Sequence, residues 1–135
     1  MPNLTWKYIS PLKDGSEIDV LELKYCYMLP EDLKECIVKN NAGVPSPSTF
    51  DMGENKGMVF GGLLSFNKGD VDSIYDYISL FETENGKGLK MFPFGLDPAG
   101  NFLCVKGREI VFYDHETDSV IPISDTFAQL LSMLY

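Results

Sequence analysis

The stretch FPFGLDPAGNFLCVKGREIVFYDHETDSVIPI, residues 92–123, decides the fold. Three turn signals divide it. In LDPAGN, Pro98 brings a fixed φ to the second turn position. Gly100 follows where a positive φ closes a hairpin with a bulge, and the Asp97 side chain is placed to bond its own downstream backbone. VKGRE and DHETDS are the other two signals. Between them FPFGL, NFLCV, EIVFY and SVIPI are rich in β-formers, at the spacing of an antiparallel meander. Successive turns of a meander lie at opposite ends of the sheet. The turn at Asp97 and Asn101 and the turn from Asp114 to Asp118 flank the KGR turn, so both are able to share one end. His115, the chain's one histidine, sits in the second of them. A metal centre needs several convergent ligands, whereas adjacent strand residues point to opposite faces. The carboxylates therefore read as turn residues, and His115 as a strand-end histidine satisfied by hydrogen bonds.

Working outward, SDTFAQLLSMLY predicts a helix over 126–134, capped by Asp125, with Phe127, Leu130, Leu131 and Leu134 as its apolar stripe. On the other side, Val71, Ile74, Ile78 and Phe81 recur at helical spacing and predict a helix over 71–81 behind an Asp70 or Asp72 cap. MVFGGLLSF is apolar enough for a strand, with Gly61 and Gly62 marking a bulge or close approach. FDMGENKG reads as a polar loop. Nearer the N-terminus, TWKYI alternates and predicts a short strand with Trp6 and Tyr8 on one face. Ser16 and Asp19 have capping-box spacing before Ile18, Leu21 and Tyr25, which predicts a helix over 17–26. A second helix, over 30–39, opens with Pro30 in its first turn and Glu31 and Asp32 at its positive end. Its buried stripe is Leu33, Cys36 and Ile37, and Asn41 or Gly43 supplies a left-handed end. The fold class is α+β: one domain over 1–135, an antiparallel sheet meander with helices packed against it.

Composition bounds the function. The chain has 135 residues, 44% of them hydrophobic and 23% charged, as expected for one globular domain burying roughly two thirds of its unfolded surface. No run approaches the ~18 apolar residues of a membrane span, and MPNLTWKYISPLK lacks the apolar core of a secretory signal. Cys26, Cys36 and Cys104 are odd in number and widely spaced, which argues against a disulfide framework or a CxxC zinc site and for reduced core thiols in the cytoplasm. Twenty acids against eleven bases give a net charge of −9. Asp70, Asp72, Asp76, Glu82 and Glu84 lie in 69–86 without a base, as do Glu109, Asp114, Glu116, Asp118 and Asp125 in 109–135. Such fields repel phosphate backbones and anionic lipid and attract basic partners, so direct contact with nucleic acid or membrane is not expected. NGKG lacks the rest of a P-loop, and no glycine elbow places a nucleophile. No cofactor is expected, and no enzyme; the remote alternative is a metal-assisted hydrolase using Asp97, Asp114 and His115.

In order, LPEDLKECI, NNAGVPSPSTFD, VFGGLLSFN, FPFGLDPAGNFLCV, IVFYDHET and DTFAQLLSMLY resemble the Smi/Knr-like branch of the SUKH superfamily, from Trp6 to Tyr135. The pattern residues are Glu22, Leu29, Pro30, Asn41, Gly43, Pro45, Phe66, Asp97, Gly100, Asn101, Asp114, His115 and Phe127. The usual Asn-Gly-Gly-Arg-Pro reads NAGVP here, so Ala42 replaces a glycine and Val44 an arginine, and Tyr113 stands where tryptophan is common. The resemblance implies a compact α+β binding domain without known chemistry. Bacterial members are inferred to be immunity proteins that neutralise cognate toxins, often nucleases; fungal relatives resemble scaffolds regulating cell-wall synthesis and signalling. The resulting expectation is a cytoplasmic immunity protein that binds a basic toxin domain, with an intracellular regulatory module as the alternative. Asp70, Asp72, Asp76, Glu116 and Asp118 are the candidate partner-binding residues, all expected to be exposed. The apolar loop residues Val44, Pro47 and Phe50 stand behind them.

Overall fold

A computed structural model describes residues 4–135. The meander forms as its turns dictate. Strands β6 (Phe92–Leu96), β7 (Phe102–Lys106), β8 (Glu109–Asp114) and β9 (Ser119–Ser124) pair antiparallel in sequence order. A short strand, β5 (Gly62–Leu63), adds antiparallel to β6 and completes a five-stranded sheet. Phe102, Leu103, Cys104 and Val105 are buried without a break, so β7 is covered on both faces. The 3₁₀ turn Ile78–Phe81 seats Phe81 edge-on against Phe102 and Tyr113, which are register partners and therefore share a face. Helix α4 (Phe127–Met133) sets Phe127 edge-on against Phe94.

Helices α1 (Glu17–Tyr25) and α2 (Glu31–Asn40) lie close to their expected bounds. Their link is held from inside. Glu22, only 4% exposed, accepts from the Leu29 backbone N–H at 2.7 Å and pairs with Lys34 Nζ at 2.9 Å. Pro30 stands at the N-cap, one position ahead of the first turn, because its ψ of 143° is extended.

Several expectations fail for local reasons. Ser16 is already in helical conformation and makes no cap bond with its side chain; Asp14 accepts from its N–H and its hydroxyl instead. The last helix is capped by Thr126, which accepts from Gln129 N, and not by Asp125. Tyr8 has φ 60° and is 82% exposed, so it does not share a buried face with Trp6. Trp6 lies in β1 (Thr5–Lys7), opposite Pro45 of β2 (Val44–Ser46), and packs edge-on against Phe60. Beyond α2, the left-handed residue is Ala42, at φ 66°, and not Asn41 or Gly43. The supposed loop at FDMGENKG is a hairpin of β3 (Thr49–Met52) and β4 (Asn55–Val59), with Phe50 and Met52 buried at alternate positions. MVFGGLLSF is not one strand. It ends β4 and begins β5, broken at Gly61, where a Cβ would stand 2.9 Å from the Leu96 carbonyl oxygen.

The expected helix over 71–81 starts later. Helix α3 (Ile74–Tyr77) is one turn long and runs directly into the 3₁₀ turn. Its capping box is Ser73 with Asp76, so neither Asp70 nor Asp72 caps it, and Val71 is 87% exposed instead of lying on the buried face. Of the cysteines, Cys104 is buried and Cys36 half-buried, and burial pushes both thiols up, Cys36 to about 11. Cys26 is exposed at the end of α1, contrary to the expectation of a core thiol. All three are free.

Candidate protein-docking site

The two acidic turns of the meander meet. Asp97 Oδ1 accepts from the N–H groups of Ala99 (2.9 Å) and Asn101 (2.7 Å), and Gly100 closes the turn at φ 84°. Asn101 then bridges to the neighbouring turn. Its Nδ2 donates to Asp97 Oδ2 at 3.1 Å, and its Oδ1 accepts from the His115 N–H at 3.1 Å and faces His115 Nδ1. With the amide so oriented, Nδ1 is the protonated ring nitrogen. Asp114 Oδ1 accepts from the Glu116 N–H at 2.9 Å. Asp97, Asp114 and His115 thus each serve turn chemistry. Among the described residues no group of three or more His, Cys, Asp or Glu side chains is placed to hold a metal ion.

From residue 91 to 135 the only bases are Lys106 and Arg108. Both lie at the β7–β8 turn, the opposite end of the sheet, where Tyr27 accepts from the Gly107 N–H at 2.9 Å. The end that carries the 97–101 and 114–118 turns is acidic. Asp118 sits there at φ 58° and accepts from the Tyr113 hydroxyl; Glu116 is exposed beside it. Asp72, exposed at φ 54°, accepts from the Tyr77 hydroxyl at 2.8 Å. Hydrogen bonding to these carboxylates raises the pKa of both tyrosines, so each remains a protonated donor at neutral pH. The rings of Tyr77, Phe102, Phe81 and Tyr113 form one edge-to-face row with centroids 5.2–5.3 Å apart. Asp72 and Asp118 are therefore tied to a rigid row of aromatic rings.

The five candidate acids divide. Asp72, Glu116 and Asp118 are exposed, and so is Asp76, although Asp76 also accepts from the Ser73 N–H in the α3 capping box. Asp70 is different. It is only partly exposed, and its Oδ2 accepts from Ser65 Oγ (2.7 Å), Ser10 Oγ (2.8 Å) and Asn67 Nδ2 (3.2 Å). The network continues to buried Asn41, which donates to Ser65 Oγ and the Ser10 carbonyl and accepts from the Phe66 N–H. Asp70 is a structural acid, contrary to the expectation of a free surface charge.

Sequence reasoning missed a cleft of about 430 Å³ beside these acids, lined by Val44, Gly62, Val71, Asp72, Leu96, Asp97 and Pro98 among others. No local signal marks it, because its walls come from separate segments of the chain. Of the secondary apolar candidates, Val44 lines this cleft, Pro47 is half-buried, and Phe50 is fully buried in the core and unavailable to a partner.

The model of the SMI1/KNR4 family (SUKH-1) matches residues 14–133. No curated protein matches the chain. The chain belongs to the SMI1/KNR4 family, and that membership supports a toxin-immunity or Smi1/Knr4-type protein-binding role. Among the described residues, no helix is long and apolar enough to cross a membrane.

Proposed function

We propose that this chain is a non-enzymatic immunity protein that binds a basic toxin domain, with a nuclease as the best-matched class, and blocks it through the acidic end of the meander. The observation that carries this reading is the segregation of charge. Asp72, Asp97, Asp114, Glu116 and Asp118 gather near one end of the sheet, and the only two bases of residues 91–135 lie at the other. A nuclease must be basic around its phosphate site, and an acidic inhibitor gains association rate and complementarity there. The aromatic row beneath Asp72 and Asp118 favours binding without reorganisation, which lowers the cost of association. Each of Asp97, Asp114 and His115 is occupied by turn hydrogen bonds, which favours binding over hydrolysis.

The test is co-expression with the product of the adjacent gene. Suppression of that product's toxicity, together with co-purification of the two proteins, is the expected result. An adjacent product that is harmless, or whose toxicity is unaffected by this chain, removes the immunity reading and favours a regulatory module with an endogenous partner.

A further inference from the structure

We propose that the cleft between Val44, Val71 and Pro98 is a socket for a single arginine side chain presented by the partner. This rests on the protein-binding reading above and names the chemistry of its contact. The cleft's volume of about 430 Å³ equals that of roughly fourteen waters at about 30 Å³ each, and falls in the range of about 300–1,000 Å³ typical of built binding pockets. Its lining mixes apolar side chains, Val44, Val71, Leu96 and Pro98 among them, with an equal share of polar surface. Only two lining residues are charged, Asp72 and Asp97, and both are acids.

Among the described residues neither carboxylate is neutralised by a cation. The ion pairs among the described residues involve Asp19, Glu22, Glu31, Asp51 and Glu17, and no lysine or arginine approaches Asp72 or Asp97 within 4.0 Å. Asp72 spends one oxygen on the Tyr77 hydroxyl, and Asp97 Oδ2 accepts one bond, from Asn101, so both keep acceptor capacity. A cleft of mixed apolar and polar surface with two acidic residues on its lining suits a long side chain whose stem is apolar and whose head is a planar cation. Arginine has that shape, and its fixed fork of donors matches a carboxylate better than the point charge of lysine does. The exposure of Val71 at 87% fits the same occupant: an apolar residue held out in solvent beside a carboxylate gives the guanidinium stem something to cover.

The experiment is a titration of the full isotope-labelled chain, followed by amide NMR, with the capped peptide acetyl-Gly-Arg-Gly-amide and its Gln counterpart as control. The arginyl peptide should shift the Leu63, Val71, Asp72 and Leu96 amides saturably, and the glutaminyl peptide should not. Two variants test the site. Asp72→Asn removes the charge while keeping a residue that tolerates positive φ and accepts from Tyr77. Val44→Arg fills the socket with a tethered guanidinium, and the same spectra report whether it folds. Each should weaken the arginyl peptide at least ~10-fold, Asp72→Asn by the loss of about one charge-assisted hydrogen bond and Val44→Arg by occupying the socket. Shifts spread evenly over Asp76, Glu116 and Asp118, or unchanged affinity in a folded Asp72→Asn variant, overturn the socket. A second arm separates this from the underlying reading. If the adjacent gene's product binds wild type and Val44→Arg equally well, the socket is wrong and protein binding stands. If it does not bind wild type at all, the reading beneath the proposal has failed.

Discussion

The Ser65 hydroxyl donates to Asp70 across 2.7 Å, and with the Ser10 and Asn67 contacts it separates a structural acid from the exposed acids around it. Ser65, Ser10 and Asn67 together hold the Asp70 carboxyl below the usual carboxylate range. A depressed folded-state pKa contributes stability that is present above the unfolded value near 3.8 and is lost as pH falls through the folded value. Asp70→Asn should therefore be less stable than wild type at pH 7, with the gap narrowing below about pH 4. Urea unfolding at pH 7 and pH 3 checks this. An equal loss at both values would mean that charge plays no part.

Glu22 is the second acid that is not available to a partner. Glu22→Ala leaves the Leu29 N–H without its acceptor and Lys34 without its closest partner, at 2.9 Å. The expected cost is about 2–3 kcal/mol, read from chemical denaturation. A cost below ~0.5 kcal/mol would show that the α1–α2 link is held by packing alone.

Adjacent residues after α2 should respond in opposite directions. Ala42 holds φ 66°, a conformation costing ~1–2 kcal/mol in any residue with a Cβ, so Ala42→Gly should stabilise by about 0.5–1 kcal/mol. A Cβ at Gly43 would stand 2.7 Å from the Asn40 carbonyl oxygen, so Gly43→Ala should destabilise by about 1–3 kcal/mol. Thermal melts of the two variants test the pair together.

In the 97–101 turn, Gly100→Ala should cost about 1 kcal/mol through its φ of 84° alone, because the nearest atom to an added Cβ, His115 Cε1, is 3.9 Å away. Ala99→Gly should cost less. His115→Ala should remove only the Asn101 contact, at about 0.5–1.5 kcal/mol, and leave metal content at background. Stoichiometric zinc in wild type that disappears in this variant would revive the hydrolase alternative.

The meander was legible because its determinants are local: Asp97, Pro98 and Gly100 specify a turn within four residues, and the other turns follow at regular spacing. The acidic end followed from the same logic, since alternate turns of a meander share an end. What escaped depends on distance in the chain. Asp70 reads as a surface acid until Ser10, sixty residues away, is folded against it. Val71 fits the helical spacing of Ile74 and Ile78, and only the competing cap at Ser73 and Asp76 moves the helix start past it. The β3–β4 hairpin is hidden because three of the five β4 residues, Asn55, Lys56 and Gly57, are polar or glycine and exposed, leaving Phe50 and Met52 of β3 to reveal a buried face.

The most direct test of the account is the association rate of this chain with the adjacent gene's product, measured by stopped flow or surface capture at low and high salt. Paired charge reversals, Asp72→Lys with Asp76→Lys and Glu116→Lys with Asp118→Lys, are compared with wild type after circular dichroism has verified their folds. The account predicts that each pair slows association at least ~10-fold at low salt and that salt slows wild type by a similar factor, while dissociation changes less. Association that is indifferent both to salt and to reversal of all four acids would contradict it.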